Sequence, residues 1–224
     1  MNTIKHISRH IVGALLLSAA MTNPAAAASY GFDCITNTTP ANCGIGASQL
    51  YVDIIDAGAN QALFTFYNIG ADASSIADVH FDDGTLLGIS SVINGAGVSF
   101  TSPANPGNLP GANNITPAFQ TTAGFSADSD APVQLNGVNP GETVGILFNL
   151  QAGKSFADVL SAIGLAGNPG GLRIGLHVQG FAGGGSESFV NTVGQVMLPV
   201  PEASQWMMLL AGMGLIAVRT LRRS

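Results

Sequence analysis

Asp78 and His80 stand two residues apart, and Asp82 and Asp83 follow directly. In an extended chain alternate residues share a face, so these side chains are placed to act together. Asp128 and Asp130 repeat the two-residue spacing. Asp78, Asp82, Asp83, Asp128 and Asp130 are the acids that would suit calcium, a cation taking about six to eight oxygen ligands, although no EF-hand loop accompanies them. Alternation supports a plainer reading, in which Ala77, Val79 and Phe81 point inward and Asp78 and His80 meet solvent, with Asp-Asp-Gly at 82–84 forming a turn. The pattern favours that second reading, and calcium is the one cofactor the acids suggest.

Cys34 and Cys43 enclose eight residues. In an exported chain such an even, close pair predicts a disulfide, contributing roughly 2–3 kcal/mol. A redox or metal role would call for a CxxC spacing or a third ligand. Nucleophilic catalysis finds little footing. Gly184-Gly185-Ser186-Glu187-Ser188 lacks the second glycine of a nucleophile elbow, and His177 belongs to the polar face of a strand. Glu142 and Glu187 are the two glutamates of the central segment, and neither sits in a recognisable motif. Phosphate-cradling, dinucleotide and HExxH patterns are absent.

The elements that must position these residues lie between two unusual ends. Residues 29–200 hold two basic residues, Lys154 and Arg173, against twelve of the thirteen acids, a formal charge of −10. That field repels a polyanion, which excludes nucleic acid as a partner and keeps the body soluble. Residues 1–28 read as a signal peptide: Lys5 and Arg9 form the basic region, Ile11 to Met21 the apolar region, and Ala26-Ala27-Ala28 a small-residue cleavage site for signal peptidase. Cutting between Ala28 and Ser29 makes Ser29 the first mature residue. At the other end Val200-Pro201-Glu202 precedes thirteen uncharged residues, Trp206 to Val218, and then Arg219, Arg222 and Arg223. At about 1.5 Å per residue that apolar run reaches roughly 20 Å, short of the roughly 30 Å hydrocarbon core, so it is suited to transient membrane insertion. The arginines favour the cytoplasmic side.

In its order of motif, hydrophobic helix and arginine cluster, the segment 199–224 resembles the PEP-CTERM sorting signal of Gram-negative bacteria that make exopolysaccharide. The resemblance implies recognition by an exosortase, a membrane protease-transpeptidase, and cleavage near Val200, Pro201 and Glu202. Ala203 stands where the second proline of that motif is usual. Trp206, Arg219, Arg222 and Arg223 match the anchor and stop. What this implies is an exported protein at the cell surface, outer envelope or extracellular matrix, with exopolysaccharide as a partner.

The central segment, residues 29–198, is the size of one domain. Its apolar residues recur every second place: Leu50, Val52 and Ile54; Ala62, Phe64 and Phe66; Val144, Ile146, Phe148 and Leu150; and Leu172 through Val178. Further strands are predicted at 76–81, 86–93, 97–101, 133–135 and 188–193, separated by Gly, Asn, Asp and Pro clusters. About nine short strands predict a mainly β fold, a single antiparallel β-sandwich. One short helix is expected after Ser155, capped with Asp158 and carrying Phe156, Val159, Leu160 and Ile163 on its apolar stripe. Residues 102–131, broken by Pro103, Pro106, Pro110 and Pro117, read as a long surface loop. The function expected of this body is adhesion or matrix and biofilm contact without catalysis. Two alternatives stand behind it: a glycan-binding module, in a calcium-dependent form if the acids bind metal, against which the mature domain offers only Tyr51, Tyr67 and Tyr30 as sugar platforms and no Trp, and a secreted hydrolase.

Overall fold

The computed structural model describes residues 27–195. The chain is mainly β, and one antiparallel sheet of ten strands curls until it is nearly closed into a barrel. The strands are β1 (Ala27–Cys34), β2 (Leu50–Gly58), β3 (Gln61–Asn68), β4 (Ser75–Asp82), β5 (Leu86–Asn94), β6 (Phe100–Thr101), β7 (Ser126–Ser129), β8 (Thr143–Leu150), β9 (Arg173–Gln179) and β10 (Glu187–Gln195). Around the sheet they run β5-β8-β3-β2-β1-β10-β9-β4-β7-β6. At the seam the Asn94 side chain imitates a strand partner: its Nδ2 donates to the Phe100 carbonyl at 3.2 Å, and its Oδ1 accepts from the Phe100 N–H at 2.9 Å.

The alternation in β2, β3 and β8 appears directly as alternating burial. Inward side chains meet across the curl: the Phe81 ring lies 5.3 Å from that of Phe64 and 4.6 Å from that of Phe148, and Phe125 closes on Phe148 at 5.7 Å, all edge to face. Such contacts add about 0.5–1.5 kcal/mol each beyond burial. Two sheets were expected, and one continuous sheet is found. The alternation is the same in either case, because a curled sheet supplies both walls of its own core.

Three α-helices and one short 3₁₀ helix (Ala112–Asn114) are present among the described residues where one helix was expected. The expected one, α3 (Phe156–Gly164), carries its capping box, with the Ser155 N–H donating to Asp158 Oδ2 at 2.7 Å and Val159, Ala162 and Ile163 buried. The others are α1 (Pro40–Gln49) and α2 (Val133–Asn136). Gly44 and Gly46 lower helix propensity in α1 and hide it in the sequence. Gly46 is there for close approach, since a Cβ would stand 2.1 Å from Phe189 Cζ. The strand expected at 133–135 is instead the single turn of α2, with Leu135 in solvent. Three residues are too few to separate a period of two from one of 3.6. Within 97–101 only Phe100 and Thr101 pair as strand. The strand β1 was missed because Ser, Gly and Asp interrupt its apolar positions.

Candidate functional site

Ile76, Val79 and Phe81 of β4 face the core, and Asp78, His80 and Asp82 take the opposite face. Register aligns Asp78 with His177 and Asp82 with Arg173 on β9, and Asp78 with Asp128 and His80 with Ser126 on β7. A polar row therefore crosses three strands on the outer side of the barrel. The expectation that Asp78 and His80 meet solvent is corrected here: they are 7% and 0% exposed. The cover comes from the segment expected to be a surface loop. Residues 102–131 contain β7 and bury Ala104, Leu109, Phe119 and Phe125. Ser-Ala-Asp-Ser is too polar to advertise a strand, and four prolines disguise a packed segment.

Anchoring of this segment is specific. Leu109 and Phe119 join Val190 of β10 in a second apolar cluster on the outer face. They reach the sheet because Gly175 has no side chain, since a Cβ there would lie 2.6 Å from Leu109 Cδ2 and 3.0 Å from Phe119 Cζ. Arg173 Nε donates to Asp82 Oδ2 at 2.9 Å, while its Nη1 and Nη2 donate to the Pro117 and Ala118 carbonyls at 2.7 Å each. The same guanidinium stands 5.4 Å from the centre of the Phe119 ring. Thr121 Oγ1 lies 3.3 Å from His80 Nδ1, the Thr122 N–H donates to the Phe81 carbonyl at 3.0 Å, and the Asn105 N–H donates to Asp128 Oδ2 at 3.2 Å.

The buried row is electrostatically tuned. Burial pushes the His80 imidazole down to about 4; the Asp78 carboxylate opposes this and His177 adds to it. His80 is thus neutral at pH 7, and its Nε2 has no hydrogen-bond partner among the described residues. Burial raises Asp128, against the Asn105 N–H that favours its ionised form. His177 Nδ1 and Asp78 Oδ2 are 2.7 Å apart. Ser188 aligns with His177 on the far side, extending a Ser-His-Asp order across three strands. Its Oγ is buried without a hydrogen bond, so no contact joins nucleophile to base.

The acids named for calcium do not gather in one shell. Asp78 is engaged by His177, Asp82 by Arg173 and Asp128 by the Asn105 N–H. Asp83 accepts from the Gly84 N–H, and Asp130 accepts from the Ser99 and Thr101 hydroxyls. Among the described residues, Cys34, Cys43 and Glu187 form the one group of three whose ligand atoms all lie within 4.8 Å of one another. There the two sulfurs are bonded to each other as the expected disulfide. Burial would raise Glu187, but three donors overcome it and hold it below the usual range: the Thr36 hydroxyl, the Thr38 N–H at 3.0 Å and the Thr39 N–H at 2.6 Å. The carboxylate thus holds the turn that leads into α1 and ties the disulfide loop to β10.

That loop leads to the outer face. Asn114 Nδ2 donates to the Ile35 carbonyl at 3.1 Å, and Gly111, at φ 71°, packs where a Cβ would be 2.5 Å from Thr36 Cγ2. Between these anchors the covering segment forms a cavity of about 640 Å³, lined chiefly by Asn108, Asn113, Asn114, Phe119, Gln120 and Thr121. No charged side chain lines it. Sequence reasoning passed over these residues, and the one signal was a concentration of asparagines among the prolines.

Of the few tyrosines available to stack on a sugar, Tyr30 is buried in the core, which leaves fewer still. Its period-two place beside Gly31 left its direction open. Tyr51 and Tyr67 are half-buried and in register on β2 and β3. The Ala28–Ser29 bond lies inside β1, where Ala28 pairs with Ile54 and Ser29 with Asp53. Val200, Pro201, Glu202, Trp206, Arg219, Arg222 and Arg223 lie outside the described residues. Among the described residues no helix is long and apolar enough to cross a membrane. Compared with known proteins, the chain matches no family model, and no similar curated protein or solved structure is found.

Proposed function

We propose that this is an exported surface or exopolysaccharide-matrix protein whose β body acts by contact, in adhesion or biofilm cohesion, without catalysing a reaction. Signal peptidase removes residues 1–28, so the first strand of the mature chain begins at Ser29, which pairs with Asp53, and Ala27 and Ala28 leave with the signal. The hydrophobic tail then holds the chain at the inner membrane until an exosortase cuts near Pro201 and Glu202, by the resemblance of that tail to a PEP-CTERM signal. The observation that carries the reading is the disulfide at Cys34–Cys43, whose loop is tied to the sheet by the Thr38 and Thr39 N–H bonds to Glu187, since such bonds persist in oxidising compartments outside the cytoplasm. The surplus of acids in the body supports it too, keeping a matrix protein soluble at high local concentration.

The first test is the intact mass of the protein recovered from the native host's envelope and extracellular fractions. The expected mass runs from Ser29 to Pro201 or Glu202, with any surplus marking attachment to a surface glycan or lipid. A mass that retains residues 203–224 would overturn the sorting step. Loss of surface attachment or aggregation in a deletion strain is expected as well, and unchanged behaviour would overturn the contact role.

A further inference from the structure

The cavity in the segment covering β4, β9 and β10 is lined by amide and hydroxyl side chains without a charge. We infer that it binds a neutral, multiply hydroxylated ligand, a segment of an uncharged polysaccharide, which deepens the matrix-contact reading and rests on it for the source of the ligand. Asn108, Asn113, Asn114 and Gln120 each offer an amide that both donates and accepts, and Thr121 adds a hydroxyl. A sugar hydroxyl also donates and accepts, so amides and hydroxyls satisfy it in either sense. An anionic ligand would need a counter-charge, and no charged side chain lines the cavity. The neighbouring cation, Arg173, is engaged by Asp82 and two backbone carbonyls. An apolar ligand would strip water from five polar side chains without replacing their hydrogen bonds.

The volume, about 640 Å³, falls within the range of small-ligand sites. The walls are held before any ligand arrives. Asn114 is fixed by the Ile35 carbonyl next to the disulfide, the Gln120 N–H by Asp82 at 3.3 Å and Thr121 by His80. Phe119, buried between Gly175 and Arg173, fixes the backbone on which Gln120 and Thr121 stand. Asn113 and Gln120 are exposed and their side chains make no hydrogen bond to the described protein, which leaves them free for ligand.

The test is native affinity electrophoresis of the purified full chain, in a detergent without a sugar headgroup, through gels containing dextran, glucomannan or galactomannan, with alginate as the anionic control. At least one neutral polymer is expected to retard the protein and alginate is not. The double variant Asn113→Ala/Gln120→Ala is expected to weaken retardation at least tenfold with an unchanged melting temperature. Tyr51→Ala/Tyr67→Ala is expected to bind as wild type, and EDTA to change nothing. Passage through all three neutral gels without retardation, equal retardation by alginate, full binding by the cavity variant, or loss in the tyrosine variant or in EDTA would each overturn the inference. If the gels fail while the deletion strain loses attachment, the cavity is dismissed and the contact role stands; if binding holds and attachment is unchanged, the reverse applies.

Discussion

His80 shows how a single buried group sets a pH limit on this protein. Its folded pKa, about 4, lies below the ordinary 6.5, so between those values the unfolded chain binds a proton that the folded chain refuses. The associated stability is complete above pH 6.5 and is lost as pH falls toward 4, an effect on the order of 3 kcal/mol. His80→Asn is expected to flatten the fall in melting temperature between pH 7 and pH 4.5 relative to wild type. Equal slopes would mean that the imidazole charges freely in the native state. Glu187→Ala removes the acceptor shared by the N–H groups of exposed Thr38 and Thr39 and the hydroxyl of half-buried Thr36. It is expected to cost about 2–4 kcal/mol, read as a lower denaturant midpoint at constant slope; an unchanged midpoint would show that water replaces the carboxylate. The shared face of Asp78 and His80, the polar strand face of His177 and the disulfide were legible, but the adjacency of the two strands was not. Their burial was not, because alternation reports which side of a strand a residue takes and says nothing of what later covers that side.

Among the elements, those with a clean period were read correctly and those fixed by a tertiary contact were not. The alternating strands β2, β3, β8 and β9 and the capped helix α3 carry their own signal over seven or more residues. The helix α1 holds two glycines, one of which exists for the sake of Phe189, so its sequence argues against the structure it adopts. The covering segment is the larger case: Leu109 and Phe119 are single apolar residues among prolines and asparagines, and they matter only because Gly175 lies opposite in space. Gly175→Val fills the place where they dock. It is expected to cost about 1–3 kcal/mol through forced repacking and to open residues 102–125 to thermolysin while the β-sheet circular dichroism stays native. A digestion pattern identical to wild type would show that the segment holds without this contact, through the Arg173 and Thr122 hydrogen bonds alone.

For the molecule as a whole, strand count and apolar alternation establish a mainly β body, but not whether its inner face is one sheet or two. The two differ in a measurable way. A core enclosed by one curled sheet has no interface along which it can part, so the walls should fail together. Phe81 tests this, since it stands on β4 and meets Phe64 and Phe66 on β3 and Phe148 on β8 across the interior, at 5.3, 6.1 and 4.6 Å between ring centres. Phe81→Ala is expected to cost about 3–5 kcal/mol. Two-state unfolding requires that different probes report one transition. Far-ultraviolet circular dichroism follows the whole sheet, and in the chain ending at Glu202, which lacks Trp206, tyrosine fluorescence follows Tyr30, Tyr51 and Tyr67 on β1, β2 and β3, away from the substitution. In the variant both are expected to move to the same lower midpoint. If the tyrosine signal kept its wild-type midpoint while the dichroism fell, the β2–β3–β8 wall would stand without β4, and the ten strands would behave as two cores rather than one.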